Sequence, residues 1–211
     1  EFSDITVFSF HPVKIITTAE GGMALTNDHE LDKKMRLHSS HGITKDAEMM
    51  HHKDQGPWYY EQIDIGYNYR MTELQAALGI NQMKRLDEFV LTRNKIAKRY
   101  SKHLNSVKIK LPHQIDDSYS SFHLYIIRLN LPLISNEHKY IHNKLRDAGI
   151  GCNLHYIPVH IHPYYKNRGF QYNDFPESIS YYKEAISLPI HPNLSIEQQD
   201  KVCDVLNELV E

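Results

Sequence analysis

The stretch Ser9–Gly22, "SFHPVKIITTAEGG", decides how the rest of the chain is read. It sets one lysine, Lys14, between a strand-like run and a run of small hydroxyl residues that ends in two glycines. Ahead of it, Ile5, Val7, Phe8 and Phe10 in "DITVFSF" read as a buried strand, and Pro12 ends that ladder because it lacks an N–H and fixes φ. Behind it, "GGMALTN" reads as a second short strand, with glycines suited to positive φ or close backbone approach. A lysine becomes nucleophilic only when its ammonium loses a proton, which burial and neighbouring cations favour. A turn between strands holds Lys14 at a sheet edge where a cofactor could lie, with the Ser9 hydroxyl placed for a phosphate. The pattern also describes a surface lysine in a hairpin loop.

Working outward, "DHELDKKMRLHSSHG" predicts a helix with Asp28 as N-cap and Leu31, Met35 and Leu37 or His38 on its inner face. Residues 43–62 are polar and irregular and predict a long surface loop. Leu74, Leu78, Leu86, Val90, Ala97, Tyr100 and Leu104 keep helical spacing and predict a single long bridging helix, N-capped by Thr72, with the stripe in the core. "SFHLYIIRLNL" (Ser121–Leu131) reads as a strand, and Ser135–Ile150 as a helix capped by Ser135, with Ile141, Leu145 and Ala148 inside and Gly149 at its end. "CNLHYIPVHIHP" (Cys152–Pro163) reads as a strand or extended loop, and "FPESISYYKEAISLP" (Phe175–Pro189) as a helix. In the last helix Ser195 and Gln198 form a capping box, with Val202, Leu206 and Leu209 inside. Strands alternating with helices argue for an α/β protein, with a boundary near residue 105.

The 211 residues are 41% hydrophobic and 24% charged, as in an ordinary globular protein. A formal net charge of -2 provides no basic field for nucleic acid. No apolar run reaches membrane length and no signal peptide precedes the first strand. Two cysteines, Cys152 and Cys203, make no disulfide framework, so a cytoplasmic location is expected. The chain opens almost directly into a strand without an initiator methionine, which suggests a fragment lacking an N-terminal half. Fifteen histidines raise a metal reading through His51-His52, or His155 with His160 and His162. No spacing matches a closed tetrahedral set, and Cys152 has no cysteine pair beside it, so no metal site is assigned.

Three runs carry a resemblance. "SFHPVKIITTAEGG" resembles the Schiff-base lysine motif of the DegT/DnrJ/StrS-type sugar-nucleotide aminotransferases. "IGYNYRMTELQAALG" (Ile65–Gly79) and "GCNLHYIPVHIHPYY" (Gly151–Tyr165) resemble that family's second and third signatures, in the family's order. Within the family, the third run is most similar to the pseudaminic acid branch, which aminates C4 of a UDP-linked 4-keto-6-deoxy sugar. The resemblance implies a pyridoxal-phosphate enzyme of the aspartate-aminotransferase fold (fold type I). Residues 1–105 would be the C-terminal part of the cofactor-binding large domain with the bridging helix, and 106–211 a small α/β domain.

It also implies the site. Lys14 matches the Schiff-base lysine, which shuttles a proton to the substrate carbon. Ser9 matches the phosphate-binding hydroxyl, and Asn68 an asparagine that reaches the phosphate from the neighbouring subunit, hence a homodimer. His155, Tyr156 and His160 match a region near the nucleotide-sugar pocket. Arg70 is a candidate for the amino-acid carboxylate, or else for a structural ion pair. Some relatives carry histidine at the lysine position and dehydrate, so lysine implies transamination, with L-glutamate as donor. The family's acid for the pyridinium nitrogen, its ring-stacking residue and its phosphate-binding helix N-terminus all precede the lysine. Only 13 residues precede Lys14 here, and Asp4 is too close along the strand to be that acid. The isolated chain is therefore expected to bind cofactor poorly, and a catalytically incompetent fragment or paralogue is the alternative.

Overall fold

The computed structural model describes residues 2–52 and 56–211, and the chain divides into two compact units, Glu1–Leu86 and Asp87–Glu211. In the first unit, β1 (Thr6–Ser9) and β2 (Gly22–Leu25) form an antiparallel two-stranded ribbon with Ser9 opposite Gly22. Helix α1 (His29–Ser39) starts where expected, because Asp28 Oδ1 accepts from the amides of Glu30 (2.8 Å) and Leu31 (3.0 Å). Two short strands, β3 (Ile43–Thr44) and β4 (Glu61–Gln62), pair across the ends of the expected loop. Helix α2 (Glu73–Met83) opens on the Thr72–Gln75 capping box.

The second unit begins with α3 (Leu86–His103), whose first residue closes the first unit. Then come β5 (Ile109–Lys110), β6 (Tyr125–Leu129), α4 (His138–Asp147), the single turn α5 (Pro163–Lys166), α6 (Pro176–Glu184), β7 (Ala185–Leu188) and α7 (Ile196–Val210). The sheet runs β5–β6–β7, antiparallel throughout, with β6 central. Tyr125, Ile127 and Leu129 alternate inward along β6 as period two requires. They pack with Ala97 and Tyr100 of α3, Ile141 and Leu145 of α4, and Val202 and Leu206 of α7. Tyr100 is sealed in this core with its hydroxyl on the Pro189 carbonyl (2.8 Å), and burial pushes its pKa up. Burial also raises both thiols, Cys203 to about 11, so each behaves as an apolar side chain.

Several expectations need correction. The strand read as buried is exposed along its whole length: Val7 is 75% and Phe8 46% exposed. Among the described residues β1 pairs only with β2, and every residue of both strands is exposed. The single long helix is two. It breaks at Lys84–Arg85, where the amides of both residues turn back onto the Gln82 carbonyl, and neither Gly nor Pro marks the place. The units accordingly divide at the start of α3 rather than after its end. The apolar stripe is core only in its second half. Leu74 is 85% exposed, whereas Ala97 and Tyr100 are buried.

Glu137, not Ser135, is the N-cap of α4, and no side chain caps it. The helix read through Phe175–Pro189 stops at Glu184, and the β-branched and small residues that follow enter the sheet as β7. Cys152–Pro163 is an extended loop bridged once to β7, at Asn153 and Ser187, and it closes into a 3-10 turn at Val159–Ile161.

Candidate active site

Lys14 lies on the loop that joins β1 to β2. The loop is closed at its neck by Phe10 N–H to the Gly21 carbonyl (2.9 Å) and by Thr18 N–H and Thr17 Oγ1–H, both on the Phe10 carbonyl (3.0 Å each). Inside this closure Pro12 sets φ for a tight turn, and the Lys14 amide donates to the His11 carbonyl (3.0 Å). The side chain of Lys14 is half-buried. Ala19 holds a left-handed φ of 65°, a conformation that costs a Cβ-bearing residue energy and is kept by the loop's closure. The twin glycines serve close approach. A Cβ on Gly21 would sit 2.3 Å from Thr18 Oγ1, and one on Gly22 would sit 2.8 Å from the Phe8 carbonyl oxygen. With no side chain on Gly22, nothing faces the Ser9 hydroxyl from the paired strand.

Asn68 and Arg70 lie in the same unit, on a segment stapled across the end of α1. His41 N–H donates to Tyr67 O (2.8 Å), Tyr67 N–H to His38 O (2.7 Å) and Tyr69 N–H to Ser39 O (2.9 Å). Asn68 is held by a backbone bridge to Ser40 with its side chain exposed, between stacked Tyr67 and Tyr69 (centroids 4.7 Å apart). Arg70 donates from Nη1 to Ser40 Oγ (3.0 Å), and among the described residues no carboxylate pairs with it.

His155, Tyr156 and His160 lie in the second unit. His155 Nδ1 is 2.7 Å from Ser187 Oγ, its ring meets Tyr156 edge-on at 4.7 Å, and burial holds its pKa below the usual histidine value. Tyr156 is 72% exposed. His160 is 7% exposed. It donates Nε2–H to the Tyr172 carbonyl (3.2 Å) and packs against Phe175. Tyr156 is thus open at the surface and His155 partly so, while His160 braces its own loop.

Sequence reasoning missed Glu61, which gathers the amides of His51 and His52 (both 2.6 Å), His51 Nδ1 (3.2 Å) and Tyr59 O–H (3.0 Å). Among the described residues no group of three histidine, cysteine or acidic side chains is placed to hold a metal ion. The His51 amide above all, then that of His52, the Tyr59 hydroxyl and the His51 ring, hold the Glu61 carboxyl down at about 2, against the opposing effect of burial. A depressed carboxylate pKa gives stability that is complete above the unfolded value and lost as pH falls toward the folded one. Slowed hydrogen exchange at the His51 and His52 amides should therefore persist at pH 6 and fade between about 4.5 and 2. Glu61→Gln, with one acceptor oxygen in place of two and no carboxylate to protonate, should weaken it and remove this pH dependence.

Comparison with known proteins converges on these elements. The model of the DegT/DnrJ/EryC1/StrS aminotransferase family matches residues 1–207. The spore coat polysaccharide biosynthesis protein SpsC of Bacillus subtilis is 39% identical over 98% of this chain and 54% of its own length. The UDP-4-amino-4,6-dideoxy-N-acetyl-beta-L-altrosamine transaminase of Campylobacter jejuni is 35% identical over 99% and 53%. Among solved structures, Spr1654 of Streptococcus pneumoniae in its PMP form superposes with a TM-score of 0.89 at 34% identity, over 100% of this chain and 54% of that one. The chain thus spans about half the length of the curated relatives it matches, and corresponds to their C-terminal portion. Its mixed α/β architecture is part of the fold type I found in pyridoxal-phosphate sugar aminotransferases. The loop around Lys14 and the segment at Asn68 lie within the matched residues, and the chain belongs to the DegT/DnrJ/EryC1/StrS aminotransferase family.

Proposed function

We propose that this chain, joined to the half its relatives carry ahead of it, transfers an amino group from L-glutamate to C4 of a nucleotide-linked 4-keto-6-deoxy sugar. The observation that carries this is the closed loop holding Lys14 beside the open end of the ribbon at Ser9, in a chain of this family. The Campylobacter jejuni relative's name supports a UDP-linked 4-amino-4,6-dideoxy sugar as product, and the solved structure of Helicobacter pylori PseC, an aminotransferase of pseudoaminic acid biosynthesis, supports amino sugar biosynthesis of that kind.

The family's cofactor is pyridoxal phosphate, and the residues present fit its aldehyde and phosphate ends. Lys14 is half-buried at the tip of a braced loop, and the Ser9 hydroxyl faces a glycine rather than a side chain. Pyridoxal phosphate, once bound, supplies the electron sink for moving the amino group. Lys14 holds it and carries the proton to and from the substrate carbon. Ser9 binds the phosphate, and Asn68 reaches the phosphate held by a second copy, which makes the working form a homodimer. Arg70, anchored on Ser40, faces the glutamate carboxylate, and His155 and Tyr156 line the nucleotide sugar, with His160 bracing their loop. We place the enzyme in the cytoplasm; among the described residues no helix is long and apolar enough to cross a membrane.

The isolated chain lacks turnover on this reading. Among the described residues ahead of Lys14, Asp4 is the only acid; it precedes β1, and its carbonyl accepts from Thr26. The exposed ribbon and α2, which leaves Leu74, Leu78, Ile80 and Met83 open, are faces for the other half and the second copy to cover. The test supplies the joined protein with glutamate and UDP-linked 4-keto-6-deoxy sugars and follows amino sugar and 2-oxoglutarate by mass spectrometry. Equal yields of both are expected. Absence of amino transfer to any 4-keto sugar nucleotide overturns the reading.

A further inference from the structure

The Thr18 amide helps close the Lys14 loop, but its side chain has no role in the chemistry, yet Thr18 is 2% exposed and is the only buried residue among those described ahead of Gly42. Its side chain is held at both ends. Oγ1–H donates to the Glu20 carbonyl (2.8 Å), and Cγ2 points at Gly79 in the middle of α2. A Cβ on Gly79 would lie 2.8 Å from that methyl, inside contact distance, and apart from its chain neighbours and the backbone of α2 no other atom of the described residues is within 4 Å of the position. Gly79 therefore leaves a methyl-sized seat, and Thr18 fills it. A β-branched side chain cannot turn away without leaving its rotamer well and breaking the bond to Glu20.

We propose that the Thr18 methyl seated on Gly79 is what positions the Lys14 amine. The proposal rests on reading Lys14 as the cofactor-binding amine. The coupling is short. The Thr18 amide and its neighbour Thr17 Oγ1 both close the loop onto the Phe10 carbonyl, and Lys14 lies within that closure. If Thr18 shifts, the neck of the Lys14 loop shifts with it. The same packing ties the loop to the segment entering α2, since the vacant Cβ position of Gly21 lies 3.0 Å from Met71 Cε. Thr18 and Gly79 are positioning residues. They set where the amine stands and take no part in the reaction.

A methyl exchange tests this in the joined protein, prepared without cofactor. Thr18→Ser removes the methyl and keeps the hydroxyl, Gly79→Ala adds one, and the double variant moves it from loop to helix. Trace acetylation with acetic anhydride across a pH series, read by peptide mass spectrometry, gives the pH profile of each lysine; exposed Lys34 and Lys98 serve as references. Each single variant is expected to change Lys14 labelling at fixed pH by about threefold, the effect of half a pKa unit, with the references unmoved. The double is expected to restore the Lys14 profile. Gly79→Ala is expected to lower the thermal midpoint, although alanine for glycine inside a helix ordinarily raises it, and Thr18→Ser is expected to recover it.

A raised midpoint with an unchanged Lys14 profile in Gly79→Ala overturns the proposal, and so does a double variant no closer to wild type than its parents. If Gly79→Ala does not fold, a double variant that folds supports the seat, and one that also fails overturns it. No cofactor enters this measurement. Failure of the Lys14 reading would appear separately, as absence of a borohydride-reduced pyridoxal phosphate adduct at Lys14 in the joined protein.

Discussion

Lys14→Ala in the joined protein is expected to lower transamination by about 10⁴-fold or more, the span of a lost proton-transfer group compounded by a lost nucleophile. Folding should not change. The hydrogen bond that Lys14 makes within the turn comes from its backbone amide to His11, which alanine keeps. The neck of the loop is made by Phe10, Thr17, Thr18 and Gly21, none of which the substitution touches. Urea unfolding should therefore move by no more than about 0.5 kcal/mol, as for a surface substitution. Lys14→Arg sharpens the result. It keeps a cation of similar reach but cannot surrender a proton near neutral pH, so it should be as inactive as alanine. Turnover in either variant above about a tenth of wild type would remove Lys14 from the chemistry. A parallel loss of stability would instead make it a structural residue.

The contrast between Lys14 and its surroundings also shows what the amino-acid order makes legible. Local devices could be read. Asp28, Thr72 and the Ser195–Gln198 pair act within one turn of their own helices, and all three cap as expected. The alternation along β6 could be read because its partners cover it within the second unit. Burial in the first unit could not. Apolar spacing says that Val7, Phe8 and Leu74 can be buried, but not by what, and here they are open.

The break between α2 and α3 was hidden because a turn closed by ordinary residues leaves no glycine or proline as punctuation. Glu61 and Thr18 were missed for a related reason. Each is defined by groups many residues away, His51 and His52 for one and Gly79 for the other, and sequence spacing carries no trace of such a meeting. At the candidate site the residue types were legible through their motifs. The division of labour between His155 with Tyr156 and the enclosed His160 was not, because it depends on Tyr172 and Phe175 folding back.

Gly42→Ala is expected to be the most damaging single-methyl change in the first unit. Gly42 follows α1 with φ of 69°, and a Cβ there would lie 1.8 Å from the Asp64 carbonyl oxygen and 2.4 Å from its carbon. Gly66 faces it from the other strand of the crossing, where a Cβ would come within 2.3 Å of Gly42 N. Two backbones thus cross at a separation that only paired glycines permit. The left-handed conformation costs alanine about 1–2 kcal/mol and forcing the backbones apart about 1–3 more, so the substitution should destabilise by about 2–5 kcal/mol.

Gly149→Ala separates the two causes. Gly149 has φ of 76° but nothing within 4 Å of its Cβ position, so it should lose only the conformational part, about 1–2 kcal/mol. Urea midpoints give the totals, and hydrogen exchange gives the location. In Gly42→Ala the amides of Tyr67 and Tyr69, which bond back to His38 and Ser39, should lose protection first. Since that staple carries Asn68 and Arg70, amino transfer in the joined protein should fall with it. Equal costs at positions 42 and 149 would mean that the crossing yields freely, and that something other than the glycine pair holds the Asn68 segment in place.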